Sequence, residues 1–168
     1  LQASGKLQML KVEGYKDLTG VLPSNKPMVC GWVDIAEPDQ GHTPGTHDGA
    51  GVVAQGMAAG GSAFVSLEGC VYNEGSVYFT SKSGGAAKAG QIFRLDVAGG
   101  TVELIFEANE SGSFSGPDNI IFSPRGSLII CEDRLGLATK GQHIAGFNAQ
   151  DGLFAFCQVN PQLRATYG

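Results

Sequence analysis

Between Leu67 and Cys157 the chain carries one pattern twice. Leu67-Glu68-Gly69-Cys70-Val71-Tyr72-Asn73-Glu74-Gly75-Ser76-Val77-Tyr78-Phe79-Thr80 is followed about fifty residues later by Pro117-Asp118-Asn119-Ile120-Ile121-Phe122-Ser123-Pro124-Arg125-Gly126-Ser127-Leu128-Ile129-Ile130-Cys131-Glu132. Each copy opens on an acidic residue, runs through apolar positions into a glycine-containing turn and enters a second β-rich run, which is the pattern of strand, tight turn and strand. Glu68 and Asp118 lie 50 residues apart, whereas Gly75 and Gly126, Val77 and Leu128, and Gly90 and Gly141 each lie 51 apart. One extra residue at the first turn accounts for that step. The match continues from Ile92-Phe93-Arg94-Leu95 to the run ending at Phe147, and from Val102-Glu103-Leu104-Ile105-Phe106 to Leu153-Phe154-Ala155-Phe156-Cys157, so each copy holds four strands.

A four-stranded unit repeating every forty to fifty residues or so is the mark of a β-propeller blade. The expected fold is therefore all-β: a β-propeller fragment with about two complete four-stranded blades, at 67–108 and 117–159, joined by a polar linker at 109–116. Residues 1–66 supply strands of a preceding blade with a loop and a weak helix, and 160–168 form an incomplete tail. Propellers close with about four to eight blades, and open repeats leave sheet edges and apolar faces uncovered. The chain thus reads as a piece of a larger protein whose remaining blades are its first partners.

Composition agrees with a meander of short strands. The 26 glycines among 168 residues far exceed the usual proportion of about 7%, and they fall at turns between apolar runs. A net charge of −5 and a pI near 5.1 argue against nucleic acid or an anionic membrane surface as partner, since both demand basic patches, and are compatible with cation binding. No apolar run approaches the roughly 18 residues of a transmembrane helix. Cys30, Cys70, Cys131 and Cys157 lack C-x-x-C spacing and fall mostly within expected strands, so they read as buried free thiols rather than a zinc site.

Upstream of the repeat, residues 1–12 nearly alternate apolar and polar, as a half-buried strand does, and Val29 to Ile35, with Trp32, forms a second short strand. The segment 37–49 holds His42, His47 and several acids, but these histidines are not a helical i, i+4 pair and no third ligand is fixed locally, so it reads as a solvated loop. Residues 48–60 form a weak helix, interrupted by Gly51, Gly56 and Gly60.

In a propeller the first strand of each blade lines the central channel, so Glu68 and Asp118 are expected to face one shared space. Carboxylates held that close repel each other, and burial adds desolvation, unless a cation lies between them. The repeat itself therefore predicts a metal. Glu132-Asp133, where the first blade has Ser81-Lys82, adds carboxylate oxygens, and Asn119 adds an amide carbonyl; such donors suit Ca²⁺ and, with carboxylate, high-valent iron. The plainer alternative is that an acid before a strand caps a turn. Arg94 and Arg125 are candidates for gripping an anion, although Pro124-Arg125-Gly126 reads first as a turn. Tyr72, Tyr78, Phe79 and Phe106 sit at strand spacing and read as packing.

Several of these runs together resemble the PhoX family of bacterial alkaline phosphatases. They are Glu68-Gly69-Cys70-Val71-Tyr72, Val77-Tyr78-Phe79-Thr80-Ser81-Lys82-Ser83-Gly84-Gly85, Gly90-Gln91-Ile92-Phe93, Pro117-Asp118-Asn119-Ile120, and Ser123-Pro124-Arg125-Gly126 with Cys131-Glu132-Asp133. Trp32-Val33-Asp34-Ile35 is similar as well, and the likeness spans most of residues 1–159. It implies a periplasmic or extracellular propeller, commonly exported folded through the twin-arginine route, that hydrolyses phosphate monoesters with Fe³⁺ and Ca²⁺ at the channel mouth. It also implies that Glu68 is a catalytic metal ligand, with Asp118 and Glu132 as further ligands beside Asn119.

Two departures bear on activity. Ser66 stands where family members often carry a phosphate-gripping arginine, and the family's Thr-Pro-Trp-Gly-Thr segment with its iron-bridging cysteine does not occur in this sequence. The iron site is incomplete here, and phosphoric monoester hydrolysis is expected of the parent protein. Two other readings stay open: a non-catalytic, calcium-stabilised propeller used as a surface or assembly module, and a lactonase-like propeller hydrolase with a single divalent ion.

Overall fold

A computed structural model describes residues 5–40, 51–109, 114–133 and 142–160. Both histidines and most of the loop expected at 37–49, part of the linker and the tail from 161 lie outside the described residues. The elements are β1 (Gln8–Val12), β2 (Met28–Asp34), α1 (Val52–Ala58), β3 (Leu67–Asn73), β4 (Ser76–Ser81), β5 (Gln91–Asp96), β6 (Thr101–Glu107), β7 (Pro117–Phe122), β8 (Leu128–Glu132), β9 (His143–Asn148) and β10 (Gly152–Gln158). They form two antiparallel sheets, ordered β1-β2-β6-β5-β4-β3 and β10-β9-β8-β7. Strands β3–β6 and β7–β10 are each a four-stranded meander, as a blade requires, and the fold is a propeller fragment.

The tight turns carry the one-residue step of the repeat. Tyr72 pairs with Val77 around a turn in which Glu74 and Gly75 have φ of 46° and 84°, the left-handed pair that suits a two-residue hairpin. Phe122 pairs with Leu128 instead, a turn one residue longer that ends at Gly126, again with φ of 84°.

Period-two alternation sorts side chains between two cores. Ile92 of β5 belongs to a cluster with Ile120, Leu128, Ile130 and Ala145, against which Val71, Tyr78 and Phe106 pack, so this cluster cements the first blade to the second. The neighbouring Phe93 and Leu95 join Val12, Leu18, Met28, Val102 and Leu104 in the other cluster. Within it Phe64 sits edge-on to both Phe79 and Phe93, which stack on each other. Each large apolar side chain buried here is worth about 1.5–3 kcal/mol, which is what holds two faces of one thin sheet covered at once.

The β1–β2 hairpin was expected as part of a preceding blade; β2 pairs with β6 through Met28–Val102 and Val29–Thr101, and the connection between β1 and β2 adds the Asn25 N–H, which donates to the Leu104 carbonyl at 2.9 Å. Beyond that short seam the sheet curls, so that β1 and β2 lie over the face of the first blade opposite the second.

The cysteines are free, as expected, but the burial expected for them is corrected. Cys70, Cys131 and Cys157 are exposed, and only Cys30 is partly covered. The reason is strand parity. Cys131 follows Ile130, and Cys70 precedes Val71, both of which face the inter-blade core. Their own side chains therefore turn outward.

Candidate functional site

Both acidic residues at the repeat openings sit in β-bulges. In the first blade the register runs from Leu67–Ser81 directly to Cys70–Phe79, and in the second from Pro117–Glu132 to Ile120–Ile130. Glu68-Gly69 and Asp118-Asn119 are thus lifted out of their ladders at equivalent places, and bulges of this kind re-aim side chains at sheet ends.

The two bulges touch through backbone. A Cβ on Gly69 would lie 2.2 Å from the Asp118 carbonyl oxygen and 3.0 Å from the Asn119 Cα, so only glycine permits this approach of β3 to β7. The fully buried Thr80 completes the seam: its Oγ1 accepts from the Gly69 N–H at 2.8 Å and donates to the Asp118 carbonyl at 2.9 Å.

The candidate side chains nevertheless have different surroundings. Glu68 is exposed and stands at the rim of an apolar groove of about 550 Å³ whose walls include Met9, Trp32, Met57 and Phe79. Among the described residues its carboxylate has no hydrogen-bond or ion-pair partner. Asp118 accepts from Asn119 Nδ2 through Oδ1 at 2.9 Å and lies 3.4 Å from Lys82 Nζ through Oδ2. The same ammonium pairs with Asp133 Oδ2, while Asp133 Oδ1 accepts from Gln142 Nε2 at 3.1 Å. The bond to Asp133 is the main cause that holds the Lys82 ammonium above the ordinary lysine range; desolvation opposes it, and the bond to Asp118 adds a lesser rise.

Glu132 belongs to a separate network. Its side chain, 3% exposed, accepts from the Ser115 N–H at 2.8 Å, from the His143 N–H at 3.0 Å, and meets His143 Nδ1 at 2.8 Å. A carboxylate so buried is tolerable only with such partners. In the first blade Ser81 does the equivalent job with opposite polarity, donating to the Val65 carbonyl at 2.6 Å. Both side chains tie the end of a second strand to the segment that enters the first.

Asp118 and Asn119 are therefore brought together with Lys82 and Asp133, Glu68 stands in the neighbouring bulge, and Glu132 serves the backbone. Among the described residues no three His, Cys, Asp or Glu side chains are grouped to hold a metal. The described donors leave one open carboxylate, Glu68, and do not by themselves fit a complete iron and calcium centre. Neither arginine changes this, since Arg94 is paired to Glu103 at 2.6 Å and Arg125 lies in the β7–β8 turn, at the opposite end of those strands from the bulge. Sequence reasoning missed Lys82. Its signal was the contrast of Ser81-Lys82 in one repeat with Glu132-Asp133 in the other.

A family model described as alkaline phosphatase PhoX matches residues 1–160. The chain belongs to the PhoX alkaline phosphatase family. The match takes in both blades and both bulges, which agrees with the resemblance carried by the sequence motifs, and a phosphatase-like function in general follows from it. No curated protein and no solved structure matches the chain. Among the described residues no helix is long and apolar enough to cross a membrane.

Proposed function

We propose that this chain is part of a metal-dependent PhoX phosphatase that hydrolyses phosphate monoesters in the periplasm or outside the cell, with Glu68 as its catalytic metal ligand. The observation that supports the reading is the Glu68 bulge, which presents a carboxylate without a partner among the described residues at the start of β3, in a chain matched over 1–160 by the family. Fe³⁺ and Ca²⁺ are the proposed ions; bound there, they would supply charge neutralisation for the ester oxygens and the activated oxygen for in-line attack.

The chain's own residues set the frame for that chemistry. Gly69 and Thr80 fix the Glu68 bulge against the second blade. Asp118 and Asn119, in the equivalent bulge, are the next candidate oxygen donors and Glu132 is a further one, but ligation by Asp118 requires displacing Lys82, and ligation by Glu132 requires giving up its bonds to Ser115 and His143. Ser66 is bonded to Ser83 at 2.8 Å between their hydroxyl oxygens, so the position of the family's arginine offers a hydroxyl pair instead of a guanidinium.

Phosphate release from a chromogenic monoester by the full-length protein, before and after chelation, tests the proposal. Turnover that is lost with the metals and returns with them supports it; turnover unaffected by chelation overturns metal dependence, and none under any metal condition overturns the phosphatase reading. The second reading, a non-catalytic propeller module, is favoured by the Ser66–Ser83 pair and by the compensated Asp118, and it predicts that last outcome.

A further inference from the structure

We propose that the Lys82 ammonium is a built-in counter-ion that takes the place of a divalent cation between Asp118 and Asp133, and so positions the Asp118 bulge against the first blade. The carboxylates on the ends of β7 and β8 need a positive charge between them, and Lys82 delivers one from the other blade. Its backbone N–H donates to the Ser66 carbonyl at 2.8 Å, which anchors the stem at the mouth of β3 and sends the side chain across the seam. An ammonium is a compact point charge with three donors, and two of them are used on Asp118 and Asp133.

The remaining oxygens are engaged too. Asp118 Oδ1 accepts from Asn119 and Asp133 Oδ1 from Gln142. Each of the four carboxylate oxygens thus already faces an N–H donor. Calcium would need these oxygens at about 2.3–2.6 Å, in the space the ammonium fills, and would meet a like charge there.

The repeat explains why the pairing is possible at all. Lys82 and Asp133 are 51 residues apart, the blade period, so they hold the same position in successive blades. Two identical blades would put like charges at equivalent places. Opposite charges at those places let one blade clasp the next, which makes the difference between the copies the working feature. Lys82 and Asp118 are also largely covered, with side chains 20% and 18% exposed, so solvent screens that pair little, while the more exposed Asp133 is screened more. The inference leaves Glu68 as the proposed ligand and takes Asp118 out of the ligand set, so it can fail without the phosphatase reading failing.

Thermal unfolding of the chelator-treated full-length protein, titrated with CaCl₂, tests it. Lys82→Met is expected to melt below wild type without calcium and to recover with calcium by more than wild type gains, because vacating the ammonium opens a carboxylate pair to the ion. Lys82→Arg is expected to melt close to wild type with no added calcium response. Asp118→Asn in the otherwise wild-type protein is expected to leave the calcium response unchanged. A Lys82→Met protein that melts like wild type, or that melts lower without extra recovery by calcium, overturns the inference. Should Lys82→Met fail to fold, the Asp118→Asn comparison still decides, since a calcium response lost with that substitution would show that Asp118 holds the metal itself.

Discussion

Lys82 and Asp133 occupy the same place in successive blades and are bonded to each other across the seam between them. Asp118 shares the ammonium, and Thr80 ties the Asp118 backbone to Gly69, next to Glu68. The acidic opening of the second blade is thereby compensated from the first blade, while the acidic opening of the first is exposed and has no partner among the described residues. That asymmetry is the basis for assigning the two carboxylates different roles.

Replacing Thr80 by valine keeps the shape but leaves the Gly69 N–H and the Asp118 carbonyl without their shared partner in a buried seam. An unsatisfied buried polar group costs about 1–3 kcal/mol. Denaturant unfolding should show Thr80→Val destabilised by roughly that amount or more, with Thr80→Ser close to wild type.

Gly69→Ala places a methyl group 2.2 Å from the Asp118 carbonyl oxygen. Backbone cannot swing aside as a side chain can, so the inner strands must separate, at a cost of about 1–3 kcal/mol or more. The melting temperature should fall, and Gly69→Ala combined with Thr80→Val should fall by less than the two effects added, because both break one seam.

The clasp has an alkaline limit. The Lys82 pKa is raised above its ordinary 10.5, so the stability it contributes is complete below that value and is lost as pH rises through the higher folded-state value. Unfolding measured across that range should show a loss in wild type that is smaller in Lys82→Arg, whose guanidinium keeps its charge.

Burial pushes the Cys30 thiol pKa up, whereas Cys70, Cys131 and Cys157 are exposed. In this 168-residue chain three thiols should react quickly with a thiolate-selective reagent and Cys30 slowly, since the thiolate is the nucleophile. Mass mapping of the labelled peptides checks the assignment.

Much of the fold was legible because the repeat has a countable period. The offset of 51 between Val77 and Leu128, against 50 between Glu68 and Asp118, located the longer turn before Gly126. The bulges were not legible. Glu68-Gly69 and Asp118-Asn119 share no residue pattern beyond the acid, and a bulge is fixed by how a strand meets its neighbour. Lys82 escaped for a different reason: a repeat is found by matching likeness, and the clasp depends on unlike charges at matched positions. The exposed cysteines were misjudged because residue type was weighed above strand parity. The curl of β1 and β2 onto the first blade had no signal in the sequence, resting as it does on a short seam with β6 and on the packing of Val12 and Met28 against the blade.

The most direct test of the account pairs phosphatase turnover with elemental metal content in full-length wild type, Glu68→Gln and Asp118→Asn. Outer-shell substitutions at metal sites cost about 10–100-fold, so loss of a direct ligand in Glu68→Gln should lower turnover by more than about 100-fold and release metal, while Asp118→Asn keeps its metal. Full turnover and full metal content in Glu68→Gln would contradict the account.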